Sequence, residues 1–259
     1  MSGLEITCLK SFLDFGHRVV VFAYDQHMVP IPFGTEDAAT ILPRERLFTY
    51  LYGAGAGSPS AFSNLFRYLL LERHGDWWID SDVLCLTSEW TGLTGQAVAG
   101  RQDDESIGTA VLALPPALAA SAAAHCEKLG HDVIWGETGP VLMTRILHEH
   151  RLAAAALPPS AFYPVHYLRW SDPFDRAARV RTEAACAGAV TLHLWHEMIR
   201  RSGLDKSWLP PADTYFGQAV RRHRTEEHFA PVDEEAYRLA LSAAGPSVAA
   251  RLRRRVRRL

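Results

Sequence analysis

The sequence predicts an α/β fold, and three observations carry that expectation. A helix-period segment is followed at once by a β-branched run, a long apolar helix is followed by a second apolar strand, and 48% of the residues are hydrophobic. A chain of 259 residues with that content can bury one substantial core. Charged residues make up 22%, an ordinary globular share, which argues against global disorder and gives no sign of a nucleic-acid partner.

The elements follow in chain order. Leu4, Cys8, Leu9, Phe12 and Leu13 recur at helical spacing over residues 4–15, and Gly16 supplies the stop. Arg18 to Tyr24 (RVVVFAY) is a short β-branched and aromatic run that suits a buried strand. Tyr50 to Ser60 (YLYGAGAGSPS) reads as a loop. A phosphate-cradling P-loop needs a lysine followed by Ser or Thr after its last glycine, and here Ser58 and Pro59 follow Gly57 instead. With Ser58 as N-cap and Pro59 in the first turn, a helix is expected to run to about Arg73 and to end at His74-Gly75. Phe62, Leu65, Phe66, Leu69 and Leu70 make most of its circumference apolar, so it should be buried. An apolar strand over 77–86 comes next, interrupted by Asp80 and Asp82. Beyond it, 107–114 and 189–195 read as strands and 116–129 and 140–150 as helices. A catalytic domain is expected over residues 1–215, with a polar, helical appendage over 216–259.

The whole chain carries a net charge of −2, and setting aside the six arginines among its last twelve residues leaves about −8. Val248, Leu252, Val256 and Leu259 recur among those arginines, the pattern of a basic amphipathic helix. Two readings compete for 248–259: peripheral contact with an anionic membrane, or a solvated tail. Cys8, Cys85, Cys126 and Cys186 form no CxxC pair, which argues against a structural zinc site and fits a reducing cytoplasm. The N-terminal residues meet a glutamate and a lysine before any apolar run, so they do not read as a secretory signal. The longest uncharged stretch, 109–124, is broken by Pro115 and Pro116 and makes a poor membrane span.

Asp80-Ser81-Asp82 is the most informative triplet. Residues two apart in an extended strand point to one face, so the carboxylates can converge if the strand end stays extended. Carboxylates that close need a cation, and no lysine or arginine lies within the ten residues that follow. Hard oxygen ligands suit Mg²⁺ or Mn²⁺, whose remaining positions can be filled by water and a substrate phosphate. The bland alternative is a pair of turn residues at a strand terminus.

The segment Phe62-Ser63-Asn64-Leu65-Phe66-Arg67-Tyr68-Leu69-Leu70-Leu71, continued by Gly75-Asp76-Trp77-Trp78-Ile79-Asp80-Ser81-Asp82-Val83, resembles the DXD glycosyltransferases. These are the family of initiating mannosyltransferases, α1,4-galactosyltransferases and glucosylating toxins, with a pattern near S-D-x-x-R-x-x-x-L followed by G-G-x-[YW]-x-D-x-D. Weaker landmarks of bacterial members are Ser11-Phe12-Leu13 with Gly16-His17, Gly136-Glu137-Thr138-Gly139-Pro140, and His193-Leu194-Trp195. The sequence departs from the pattern at Asn64, where the family has Asp, and at Asp76, where it has a second Gly. The family pattern also begins one strand earlier than Met1, with a tryptophan that packs on the nucleotide base.

The resemblance implies a single Rossmann-like, GT-A-like domain with a mixed central sheet and helices on both faces. It further implies retaining transfer of a hexose from a UDP- or GDP-sugar to a glycan, glycolipid or other hydroxyl acceptor. Asp80 and Asp82 would hold Mn²⁺ or Mg²⁺, with His193 as a further ligand. Asn64, Arg67, Trp78, Asp80 and Trp195 would line the donor site, and Arg67 would act on sugar or phosphate. Thr138 and Gly139, at an expected helix start, could bind acceptor or phosphate. Asp103-Asp104-Glu105 reads as a solvated loop. The alanine- and arginine-rich composition suggests a GC-rich bacterium, a cytoplasmic site of action near the membrane, and surface polysaccharide or glycolipid synthesis. Two rivals stand beside this: a sugar-nucleotide-binding scaffold that lost turnover, and a DxD phosphohydrolase, whose nucleophile normally lies much nearer the N-terminus.

Overall fold

The computed structural model describes residues 1–30, 32–90, 93 and 97–243. In chain order its principal elements are α1 (Gly3–Asp14), β1 (Val20–Ala23), β2 (Gly34–Asp37), α2 (Ser60–His74), β3 (Trp77–Ile79), β4 (Val83–Cys85), β5 (Val98–Arg101), β6 (Ile107–Ala113), α3 (Pro116–Leu129), α4 (Leu142–Glu149), α5 (Pro159–Phe162), α6 (Arg179–Cys186), β7 (Thr191–His193), α7 (His196–Ser202), α8 (Tyr215–His223) and α9 (Glu234–Ala243). The class is mixed α/β, as expected. The described strands form three small sheets: β1 parallel to β2, the antiparallel order β3-β6-β5, and β4 antiparallel to β7.

The chain divides into two compact units. One comprises 1–18, 81–88 and the part of the chain from 164 onward; the other comprises Val19–Asp80 and Glu89–Tyr163. In the first unit, α1 opens with a capping box in which Ser2 N–H donates to Glu5 Oε2 at 2.7 Å. Its core holds Leu4 and Cys8 of α1, Leu84 of β4, Leu192 of β7 and Ile199 of α7, together with Phe216, Val220 and Tyr237. Phe216 and Tyr237 are 1% and 3% exposed, so α8 and α9, expected as part of a polar appendage, belong to this core. Their apolar residues sit at helical spacing in segments whose average composition is polar, and the average hid the buried face. The basic stretch 248–259 lies outside the described residues.

The core of the second unit is built on α2 against α3, with Leu65, Phe66 and Leu71 meeting Leu118, Ala119 and Ala122. Small alanines on α3 allow the close approach that large residues on α2 fill. Gly75, at φ +64, caps α2 in the left-handed conformation and its N–H donates to Leu71 O at 2.8 Å. Pro59 rather than Ser58 stands at the N-cap position, because the helix starts one residue later than expected.

The expected continuous strand over 77–86 is two strands. β3 pairs with β6 in the second unit, where the last bond runs from Asp80 N–H to Ala110 O at 2.8 Å. β4 pairs with β7 in the first unit, where Leu194 N–H donates to Asp82 O at 2.9 Å. Ser81 and Asp82 form a turn between them. The extended geometry assumed for the two carboxylates therefore does not hold. Apolar periodicity continues across the break because both strands are buried, and it carries no record of the change of partner. The expected helix over 140–150 starts at Leu142, preceded by an irregular turn over Glu137–Val141 in which Gly139 is non-helical.

All four cysteines are buried thiols outside any disulfide. No helix among the described residues is long and apolar enough to cross a membrane.

Candidate functional site

In the second unit, Asp80 stands at the end of β3 within a network from α2 and the 136–141 turn. Arg67, 3% exposed on α2, donates from Nη1 to Asn64 Oδ1 at 2.9 Å and from Nη2 to Asp80 Oδ1 at 2.6 Å. Asn64 and Arg67 share a helix face because they are three residues apart. Trp78 donates its indole N–H to the same Asp80 oxygen at 2.5 Å and lies under the guanidinium, whose carbon is 5.0 Å from the ring centroid. This arrangement adds a cation–π contact to the ion pair. Arg67 Nε–H is buried with no hydrogen-bond partner among the described residues.

Asn64 Nδ2 continues the network to Thr138 Oγ1 at 3.1 Å, and Tyr68 Oη donates to Thr138 O at 2.9 Å. Burial pushes the Tyr68 hydroxyl far above its ordinary range, so it stays protonated and remains a donor. Gly139 passes close to Asn64: a Cβ there would lie 3.1 Å from Nδ2. The N–H groups of Gly139 and Val141 both donate to Gly136 O, at 3.2 and 3.1 Å, instead of standing free at a helix start. Thr138 is thus a hub inside the network, a role that no spacing rule predicts for a threonine in a turn.

In the first unit, Asp82 is 5% exposed. Its Oδ2 lies 3.1 Å from His193 Nε2 at the end of β7 and accepts the His196 backbone N–H at 2.7 Å. Burial by itself would raise the Asp82 carboxyl. The His193 imidazole and the His196 N–H outweigh it and hold the group below the usual carboxylate range. Trp195 follows His193 but leaves the strand. Its indole N–H donates to Val165 O at 2.8 Å, and its ring lies 4.2 Å from the His193 ring and 5.8 Å from that of Tyr167. The sequence pointed to His193 and Trp195. It gave no sign of His196, whose contribution is a backbone amide, or of Val165, whose contribution is a carbonyl.

Asp82 and His193 of the first unit offer a carboxylate and an imidazole, and Asp80, two positions before Asp82 in the chain, ends a segment of the second unit with a further carboxylate. Two carboxylates and one imidazole are a donor set suited to Mn²⁺ or Mg²⁺.

Comparison with known proteins points the same way. Residues 131–209 match the family described as the Alpha 1,4-glycosyltransferase conserved region. A lactosylceramide 4-alpha-galactosyltransferase from Rattus norvegicus is 29% identical over 83 residues, a stretch that covers 28% of this chain and 23% of that protein. No solved structure matches the chain. Both similarities are to glycosyltransferases and support sugar transfer as the class of activity. The family region contains Thr138, Gly139, His193 and Trp195 but neither Asp80 nor Asp82.

Proposed function

We propose that the protein is a metal-dependent, DXD-type glycosyltransferase of GT-A-like fold that moves a hexose, with retention, from a nucleotide-sugar to a hydroxyl acceptor. The observation that carries this reading is the pairing of Asp82 with His193 in a chain whose 131–209 region matches a glycosyltransferase family. Asp80, Asp82 and His193 would hold Mn²⁺ or Mg²⁺, which when bound neutralises charge gathering on a leaving nucleoside diphosphate.

The rest of the chemistry belongs to the chain. Arg67 holds Asp80 oriented, with both terminal nitrogens committed to Asn64 and Asp80. Its Nε–H is the donor left for a sugar hydroxyl or phosphate oxygen. Asn64 and Thr138 fix Arg67 instead of meeting the donor directly. Trp78 gives its N–H to Asp80 and its face to Arg67, so the positive charge stays beside the donor site. No enzymic base is assigned: in a front-face retaining transfer the leaving phosphate can take the acceptor proton.

UDP- or GDP-hexose is the donor class, and a glycan or lipid-linked hydroxyl is the acceptor class. A cytoplasmic setting, with 248–259 touching an anionic membrane, completes the proposal. Calorimetric titration of UDP- and GDP-sugars with Mn²⁺, with Mg²⁺ and with chelator, on the native chain and on Asp82→Ala, tests it. Binding is expected to need both metal and Asp82, and donor hydrolysis is expected to fall about 100-fold or more in Asp82→Ala. Metal-independent binding without hydrolysis would instead favour a scaffold.

A further inference from the structure

Among the described residues, three other than glycine have a positive φ: Arg151 at 60°, Trp195 at 58° and Arg224 at 54°. Arg151 and Arg224 follow the ends of α4 and α8, where a left-handed residue is an ordinary way to stop a helix. Trp195 stands at the opposite end, the N-cap of α7, with φ 58° and ψ 54° where extended backbone is the rule. A bulky residue in that conformation is a genuine outlier and persists only when its surroundings over-determine it.

Those surroundings are visible. Trp195 O accepts the N–H groups of Met198 at 2.7 Å and Ile199 at 3.2 Å, which ties its backbone to α7. Its indole N–H is fixed to Val165 O, and its ring packs on His193 and Tyr167. On one side of it His193 reaches Asp82 through the side chain; on the other His196 reaches the same Asp82 oxygen through the backbone. A continuing strand would carry the His196 amide away from β4. The left-handed turn brings it back.

We propose that Trp195 is the positioning residue of the Asp82–His193 pair. Its left-handed backbone sets the His196 N–H against Asp82, and its ring, packed 4.2 Å from that of His193, fixes the direction of the imidazole. This role for Trp195 differs from lining a donor pocket, because the indole N–H is already spent on Val165. It rests on the metal reading above only for its consequence in ion affinity.

Two substitutions separate the backbone role from the ring role. Trp195→Gly keeps the left-handed turn and removes the ring; Trp195→Phe keeps a ring and removes the bond to Val165. Long-range ¹⁵N–¹H spectra of the His193 imidazole in the metal-free protein, and calorimetric titration with Mn²⁺ alone, are the readouts. Trp195→Phe is expected to keep His193 near its native signals and to bind Mn²⁺ within about 3-fold of the native chain. Trp195→Gly is expected to shift or average the His193 signals and to weaken Mn²⁺ binding about 10-fold or more, the usual cost of losing a group that orients a ligand. Trp195→Leu, which keeps apolar bulk without a ring, serves in its place if the glycine variant does not fold. Native His193 signals and native Mn²⁺ affinity in the ring-less variant would overturn the proposal. If the native chain binds no Mn²⁺, the metal reading fails, and the His193 signals alone decide the role of Trp195.

Discussion

Asp80 and Asp82 are the same residue type two positions apart, yet the molecule surrounds them differently. Asp80 is a quarter exposed, faces the permanent cation Arg67 and takes an indole N–H. Asp82 is almost fully buried and faces an imidazole and a backbone amide, with no guanidinium or ammonium partner among the described residues. The difference teaches that a DxD triplet is not one chemical object. Its first carboxylate is built into a charge network of α2, and its second into the junction of β4, β7 and α7. Each can be weakened separately.

The largest effect is expected from Arg67→Met, which leaves Asp80 without its cation and Asn64 Oδ1 without its donor. We expect a loss of about 3 kcal/mol in urea unfolding, the low end for breaking a buried pair because Asp80 keeps some water. A loss below about 1 kcal/mol would show that Asp80 does not depend on α2. His193→Gln should cost less, about 1–2 kcal/mol, because Asp82 retains the His196 amide and can still find a side-chain donor. If this variant proved the more damaging of the two, the ranking of the two carboxylate environments would be reversed.

Asn64→Leu sharpens the comparison on the Asp80 side. It removes the acceptor of Arg67 Nη1 and the donor to Thr138 while filling similar space, and about 1–2 kcal/mol should be lost. Donor hydrolysis should fall with it while Asp82 and His193 keep their native spectra. The smallest effect belongs to a control pair in the first unit, Glu5 with Lys206. Burial raises the Glu5 carboxyl, but the bonds from Lys206 and the Ser2 N–H outweigh it and leave the group below its ordinary value. A depressed carboxyl contributes stability that is present above its unfolded pKa, about 4.3, and is lost as pH falls through the lower folded value. Lys206→Met should therefore cost about 1 kcal/mol or less at pH 7 and flatten the acid limb below pH 4. An unchanged acid limb would show that Glu5 does not titrate against Lys206.

The helices α1, α2 and α3, the strands β1, β6 and β7, the apolar face of α2, the stop at Gly75 and the paired acids of Asp80-Ser81-Asp82 were legible in the residues themselves. Each depends on spacing, on backbone preference or on the high cost of burying charge, and these are local quantities. The division of 77–86 between two sheets was not legible, because a buried strand reads as apolar whichever partner it takes. The depth of α8 and α9 was hidden in the same way, since a polar average conceals one buried face.

Only the tertiary structure decided how each carboxylate is served. The sequence by itself determined that two acids would stand together after an apolar strand, and that His193 and Trp195 would follow another one. It could not determine that Arg67 faces Asp80, that the His196 amide faces Asp82, or that Trp195 turns left-handed to bring that amide there. These partners lie 13, 114 and 113 positions away from the acids they serve. Backbone amides and carbonyls are common to every residue, so side-chain identity holds no record of which one a fold will use.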